Sequence, residues 1–147
     1  MKSLLSIIAI ILCSFSFGQN IKWLKVDEAS SAIKSDPKKP ILLTFYTDWC
    51  GFCKKMEKET FVDKDVVDYI NANYIPVRFN AETTDMVNFL GINYSYVKAA
   101  KANYLAYVLT GGRLSYPSTV VIDNKGISER IIFGYRSPAD FTNDIKI

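Results

Sequence analysis

The chain has 147 residues, of which 49% are hydrophobic and 22% are charged, with a formal net charge of +3. This length suits one domain with its own hydrophobic core, and the composition is ordinary for a globular protein. Because the net charge is small and basic residues occur at most in adjacent pairs, the sequence does not indicate nucleic-acid binding.

The N-terminal segment differs in character from the rest of the chain. After Lys2 comes an uncharged apolar stretch, SLLSIIAIILCSFSF, which is followed by Gly18. A basic residue, a short apolar core and small residues are typical of a secretory signal peptide. We therefore expect residues 1–18 to be a cleaved signal peptide and residues 19–147 to be the domain, in the periplasm or outside the cell. An uncleaved membrane anchor is the alternative, although a membrane span usually needs about 20 apolar residues.

The first half of the domain is predicted to alternate between helices and strands. A helix beginning near Asp27 or Ser30 should end at Asp36, because proline disfavours the helical conformation of the residue before it. Residues 41–47, ILLTFYT, are a continuous apolar and β-branched run, which is typical of a strand buried on both faces. The further predicted elements are helices over residues 53–60 and 63–74, a strand over 74–80, helices over 81–109, a β-hairpin over 117–135 and a final helix opened by Pro138.

This order of elements predicts the fold class. The alternating half favours parallel strands covered by helices, and the hairpin, which turns at residues 124–126, adds antiparallel strands. Pro76 favours an edge position for the strand over residues 74–80. The sequence therefore predicts a mixed α/β layered sandwich.

The cysteines carry the chemistry that the sequence indicates. If Cys13 leaves with the signal peptide, Cys50 and Cys53 are the cysteines that remain. They stand where a buried strand ends and a helix begins, and their spacing of one helical turn allows a disulfide to close between them. The helix N-terminus offers unpaired N–H groups and a partial positive charge, both of which stabilise a thiolate. This pattern predicts Cys50 as the nucleophile and Cys53 as the resolving thiol.

Other uses of a Cys-x-x-Cys pair are weaker. A structural disulfide across so short a loop would stabilise the fold little. A zinc or iron–sulfur site needs about four ligands, and the chain has no histidine, so a metal site would have to be shared between two molecules. Covalent haem attachment requires histidine after the second cysteine, where this chain has Lys54. The sequence predicts no metal site and no cofactor.

Two stretches of the chain resemble a known family. ILLTFYTDWCGFCKKME, residues 41–57, resembles the active-site strand and helix of thioredoxin-fold proteins. Tyr116-Pro117-Ser118, followed by TVVIDNKG, resembles the cis-proline loop and terminal hairpin of that fold. Residues 54–82 are similar to exported thioredoxin-like proteins related to the C-terminal domain of the inner-membrane disulfide reductase. The resemblance implies a thioredoxin-like three-layer sandwich over residues 19–147, with a helical insertion before the cis-proline strand.

The resemblance also implies a function. Cys50 would attack a substrate disulfide and Cys53 would resolve the intermediate, with Pro117 as a cis-proline facing the pair. The expected substrate-binding residues are Trp49, Gly51, Phe52, Tyr116 and Pro117. The implied activity is that of an exported thiol–disulfide oxidoreductase, a monomer that acts on protein thiols or disulfides and exchanges electrons with an upstream redox partner. A binding or chaperone module without redox turnover, or a metal carrier, is the alternative.

Three features depart from the family pattern. Thr44 stands where thioredoxin carries a buried aspartate, so Glu57, Asp48 or water would have to assist proton transfer. Phe52 replaces the proline between the cysteines of thioredoxin, which leaves the direction of electron flow open. The segment over residues 81–116 is longer than thioredoxin needs, and we interpret its tyrosines as core packing rather than as a partner surface; they are Tyr94, Tyr96, Tyr104 and Tyr107.

Overall fold

The computed structural model describes residues 20–147, and the predicted signal peptide or membrane anchor lies outside the described residues. The described chain begins with a short 3-10 turn at Val26–Glu28. The helices and strands that follow are α1 (Ala29–Ser35), β1 (Ile41–Tyr46), α2 (Gly51–Glu59), α3 (Lys64–Asn73), β2 (Ile75–Asn80), β3 (Val87–Phe89), β4 (Ile92–Tyr94), β5 (Tyr96–Val97), β6 (Ala102–Asn103), α4 (Tyr104–Leu109), β7 (Ser118–Ile122), β8 (Ser128–Phe133) and α5 (Pro138–Ile145).

A four-stranded mixed sheet in the order β2-β1-β7-β8 forms the centre of the fold. β1 runs parallel to β2 and antiparallel to β7, which in turn pairs with β8 as the predicted hairpin. β2 lies at the edge of this sheet, as Pro76 predicted. The backbone N–H of Leu24 donates to the carbonyl of Pro76 on the outer side of β2, so the proline ring removes no hydrogen bond from the β1–β2 ladder.

Helices cover both faces of the sheet. On β1, Leu43 and Phe45 face the core shared with α1 and α4, whereas Leu42 faces the core shared with α2, α3 and α5. Residues Ile41 to Phe45 are all buried, because successive side chains of a strand point to opposite faces and both faces are covered here. The predicted three-layer α/β sandwich is confirmed.

The helical insertion predicted before Pro117 is wrong for most of its length. Residues 81–103 form two short antiparallel hairpins, β3–β4 and β5–β6, and the only helix between residues 81 and 116 is the six-residue α4. Leu90 and Gly91 have φ angles of 51° and 85°, which suit a tight hairpin turn and not a helix. The alternation of buried Val87 and Phe89 with partly exposed Asn88 has the period of a strand.

Two tyrosines of this segment lie on the surface and not in the core. Tyr104 and Tyr107 on α4 are 48% and 43% exposed, and α4 instead buries its other face through Leu105, Ala106 and Leu109. Tyr94 and Tyr96 are partly exposed, and Tyr94 packs against the core that contains Leu43 and Phe45. The interpretation as core packing is therefore wrong for Tyr104 and Tyr107, whereas Tyr94 agrees with it.

Within residues 20–147, none of the helices has both the length and the apolar composition needed to cross a bilayer.

Candidate active site

Cys50 and Cys53 are joined by a disulfide with a Cα–Cα distance of 5.2 Å. Cys50 is the N-cap of α2, and its Sγ accepts a hydrogen bond of 3.1 Å from the backbone N–H of Cys53. Both residues are buried, with exposed fractions of 3% and 4%. The first turn of α2 thus directs an N–H group at Cys50, and the same N–H would stabilise a Cys50 thiolate after reduction.

The residues around the pair are largely exposed. Trp49 and Phe52 expose 67% and 63% of their surface, respectively. Gly51 is also exposed, and a Cβ atom added there would have no neighbour within 4 Å. The disulfide is therefore nearly buried, whereas the residues next to the two cysteines are open to solvent. This arrangement suits contact with a large molecule.

Trp49 is held in place although it is exposed. Its indole N–H donates to both carboxylate oxygens of Glu82 at 3.0 Å, and its ring meets the Tyr116 ring edge-on with centroids 6.2 Å apart. Burial, together with the nearby negative charge of Glu82, raises the pKa of Tyr116 to about 12, so this phenol stays protonated at neutral pH. Glu82 did not figure among the predicted site residues, because nothing in the sequence signals a partner 33 residues away.

Phe52 has a different aromatic neighbour. Its ring centroid lies 6.5 Å from that of Tyr135, and the Lys55 ammonium lies 4.5 Å from the same tyrosine ring. The Tyr135 hydroxyl donates to Glu59 at 2.6 Å, and this hydrogen bond raises the pKa of Tyr135. Tyr135 is a second residue that the sequence analysis did not identify.

The Tyr116–Pro117 peptide bond is cis, and Pro117 is buried. Since β7 pairs antiparallel with β1 up to Ser118 opposite Phe45, the chain before Ser118 runs beside the end of β1, from which the cysteine loop starts. The carbonyl of Pro117 accepts a hydrogen bond of 2.8 Å from the N–H of Gly134. The structure thus places Tyr116 against Trp49 and fixes Pro117 between β1 and the segment after β8.

A cavity of about 430 Å³ opens beside Trp49, the residue that precedes Cys50. We call it the redox-side cavity, because Trp49 and Tyr116 form part of its wall. Its other lining residues are Glu82, Ala100, Lys101, Leu114 and Ser115.

A pair of buried hydroxyls replaces the buried aspartate of thioredoxin. The Thr44 and Thr119 hydroxyls are 3.1 Å apart and hydrogen-bonded, and both residues are 2% exposed. They lie on the sheet face covered by α2, since they alternate along their strands with residues of the opposite core. Each hydroxyl satisfies the other, so this position is polar without carrying a charge.

This hydroxyl pair leads to a test by double substitution. Thr44→Val should lower the free energy of unfolding of the oxidised protein by about 1–3 kcal/mol, because the Thr119 hydroxyl remains buried without its partner. Replacing both threonines by valine removes both polar groups and should cost clearly less than the sum of the single changes. Urea unfolding of the four proteins measures this coupling. Strictly additive losses would contradict a paired arrangement.

The other candidates for proton transfer are placed differently. Glu57 forms an ion pair with Arg78, whose guanidinium lies 4.1 Å above the Tyr46 ring. Asp48 is exposed. Glu57 is therefore a partly exposed salt-bridge carboxylate. Within residues 20–147, no group of three or more histidine, cysteine, aspartate or glutamate side chains is arranged to hold a metal ion.

Comparison with known proteins agrees with this geometry. A family model described as a thioredoxin-like domain matches residues 26–146. A stretch of 41 residues is 49% identical to the thiol:disulfide interchange protein DsbD of Salmonella paratyphi A and covers 28% of this chain. The chain spans only 7% of the length of that curated relative.

Solved structures show the same fold. The DsbH oxidoreductase superposes with a TM-score of 0.62 at 19% identity, covering 86% of this chain and 83% of that one. The oxidised C-terminal domain of DsbD from Neisseria meningitidis superposes with a TM-score of 0.54 at 22% identity, covering 78% and 84%. At these identities the similarity concerns the fold.

Proposed function

The chain belongs to the thioredoxin-like domain family, and from this premise we propose that it is an exported thiol–disulfide oxidoreductase whose redox centre is Cys50–Cys53. Its fold is of the disulfide-oxidoreductase type and carries a Cys-x-x-Cys pair. The observation that carries the proposal is the disulfide at the start of α2, where the Cys53 N–H points at the Cys50 sulfur.

The proposed reaction proceeds in two exchanges. The Cys50 thiolate attacks one sulfur of a client disulfide, forms a mixed disulfide with it and releases the other client sulfur as a thiolate, which takes up a proton. Cys53 then loses its proton and attacks the Cys50 sulfur. The Cys50–Cys53 disulfide forms, and the second client sulfur leaves and is protonated. The client gains two electrons and two protons, and the protein ends in the oxidised form that the structure has.

The surroundings of Cys50 support its role as the attacking residue. Cys50 is the N-cap of α2, where the positive end of the helix dipole lies, and its sulfur accepts the Cys53 N–H, whereas Cys53 lies within the first turn of the helix. The neighbouring side chains Lys54 and Lys55 are exposed and add positive charge beside the same helix start. A thiolate forms more readily at Cys50 under these conditions than at a cysteine in an apolar interior.

Substrate and location follow from the same proposal. Trp49, Phe52, Tyr116 and Pro117 would contact the client polypeptide around its reacting sulfur. Residues 1–18 would direct export, so the clients would be exported proteins, and an upstream dithiol would reduce the pair again after each cycle.

The proposal is tested by trapping the intermediate. In a Cys13→Ser background, reduced Cys53→Ser is mixed with insulin, and adducts are measured by mass spectrometry without reductant. We expect an insulin molecule linked to Cys50 through a mixed disulfide, because the thiol that would release it is absent. The matched variant Cys50→Ser should give no adduct, since the sulfur that caps α2 and accepts the Cys53 N–H is then absent. Equal adduct formation by both variants, or none by either, would contradict the assignment.

A further inference from the structure

A row of tyrosines lies on the surface close to the redox-side cavity. The rings of Tyr104 and Tyr107 are stacked, with centroids 5.9 Å apart and an interplanar angle of 14°, and the Tyr94 ring centroid lies 6.5 Å from that of Tyr104. Tyr104 and Tyr107 are 48% and 43% exposed. Exposed, contiguous aromatic surface of this kind is typical of a contact site and not of ordinary protein surface.

Two of these tyrosines, Tyr104 and Tyr107, line a second cavity of about 310 Å³ that is open to solvent. We call it the tyrosine cavity, and its lining consists of Val97, Ala99, Ala100, Tyr104 and Tyr107. Small aliphatic side chains form one wall and aromatic rings the other, so apart from the phenol hydroxyls the side chains around it are apolar. Such a lining suits an aromatic or large aliphatic side chain.

The second cavity is preformed. A Cβ atom at position 112 would lie 3.4 Å from the ring of Tyr107, so the ring packs closely on the backbone of Gly112. The Tyr104 ring stacks on the Tyr107 ring. The buried side of α4 fixes the Cα positions of both tyrosines. A preformed apolar site loses little conformational entropy when it is filled.

The two cavities adjoin each other at Ala100, which lines both of them. The redox-side cavity also includes Glu82 and Lys101, which suit the polar backbone of a bound chain. A polypeptide whose cysteine reacts at Cys50 could therefore continue past Ala100 into an apolar site.

We propose that the tyrosine cavity binds an aromatic or large aliphatic side chain of the client polypeptide, a few residues from its reacting cysteine. This inference rests on the proposed function and adds a substrate preference to it. The protein would select clients by a second anchor as well as by their disulfide, because the tyrosine cavity adjoins the redox-side cavity at Ala100.

The preference is tested with a series of disulfide-linked peptides. Each peptide has one cysteine in a polar sequence, and a single phenylalanine is moved along it residue by residue on either side of the cysteine. We expect one spacing on one side to raise kcat/KM about tenfold over the peptide in which serine replaces phenylalanine, as burial of most of an aromatic ring allows. A small organic disulfide is reduced in parallel.

Two variants localise the effect. Ala99→Glu places a charge in the tyrosine cavity and should abolish the gain from phenylalanine, while the serine peptide and the small disulfide react as before. Tyr107→Ser should do the same by removing one wall. Val62→Glu is the matched control, because Val62 is 61% exposed and lines neither cavity, and it should keep the full gain.

The outcomes separate the two proposals. If all peptides are reduced at one rate regardless of phenylalanine, the client preference is overturned and the oxidoreductase function stands. If no peptide and no small disulfide is reduced, the proposed function itself fails. A concentration-dependent dimer in sedimentation velocity that Ala99→Glu dissociates would assign the cavity to a second copy of this chain and overturn the inference.

Discussion

Replacing Phe141 by alanine is expected to lower the free energy of unfolding by about 3–5 kcal/mol, the range found when a buried aromatic side chain is truncated. Phe141 on α5 is fully buried, and its ring meets the Phe61 ring edge-on with centroids 5.5 Å apart. Phe61 in turn packs edge-on against Trp23 at 5.1 Å. Phe61 comes directly after α2, so this aromatic cluster supports the end of the helix whose start carries the cysteines.

The control for this change is the same substitution on the surface. Phe52→Ala removes an equally large ring that is 63% exposed, and the free energy of unfolding should change by no more than about 0.5 kcal/mol. Urea denaturation of both variants in the oxidised state gives the two values. Comparable losses at Phe141 and Phe52, or a loss at Phe141 below that of Phe52, would contradict the packing of Phe141 in the core that α5 shares with α3 and the sheet. Phe141→Leu should fall between the two.

The central sheet was predictable because its signals are local. Residues 41–47 are apolar and β-branched without interruption, and β1 ends one residue before the predicted limit. Pro76 predicted the edge strand because a proline cannot donate to a neighbour. α2 begins two residues earlier than predicted, since Cys50 caps it and Gly51 and Phe52 are already helical.

The segment over residues 81–109 was not predictable in the same way. Met86, Phe89 and Leu90 have helical spacing, yet Leu90 and Gly91 form a turn with positive φ angles and Val87 and Phe89 point into the core. The apolar positions expected for a helix and those expected for a short hairpin coincide at several residues. Periodicity alone therefore does not distinguish the two structures. Val87 and Phe89 pack in the core that also contains Leu43 of β1, and this packing stabilises the hairpin.

The candidate site was predictable only in its local part. The position of Cys50 and Cys53 at the start of a helix follows from the sequence around them. Glu82, which holds Trp49, and Thr119, which pairs with Thr44, come from 33 and 75 residues away. Only the folded chain brings such residues together, so no sequence pattern near the cysteines predicts them.

The placement of the tyrosines changes what the long middle segment contributes. Hairpins β3–β4 and β5–β6 lead into α4, and α4 carries Tyr104 and Tyr107 on its exposed side. The segment adds Phe89 and Leu105 to the core, and its exposed tyrosines also form a wall of the tyrosine cavity. This is the feature by which the chain would distinguish among clients.

The initial rate of insulin-disulfide reduction by dithiothreitol tests the central claim most directly. The wild-type protein should accelerate the reaction, and Cys50→Ser should return the rate to that of dithiothreitol alone, because Cys53 alone cannot close the disulfide that releases the client. Thr44→Val, which keeps both cysteines, is the control and should retain turnover. Acceleration by Cys50→Ser equal to that of the wild type would contradict a redox role for the pair, and so would a wild-type rate no higher than that of dithiothreitol.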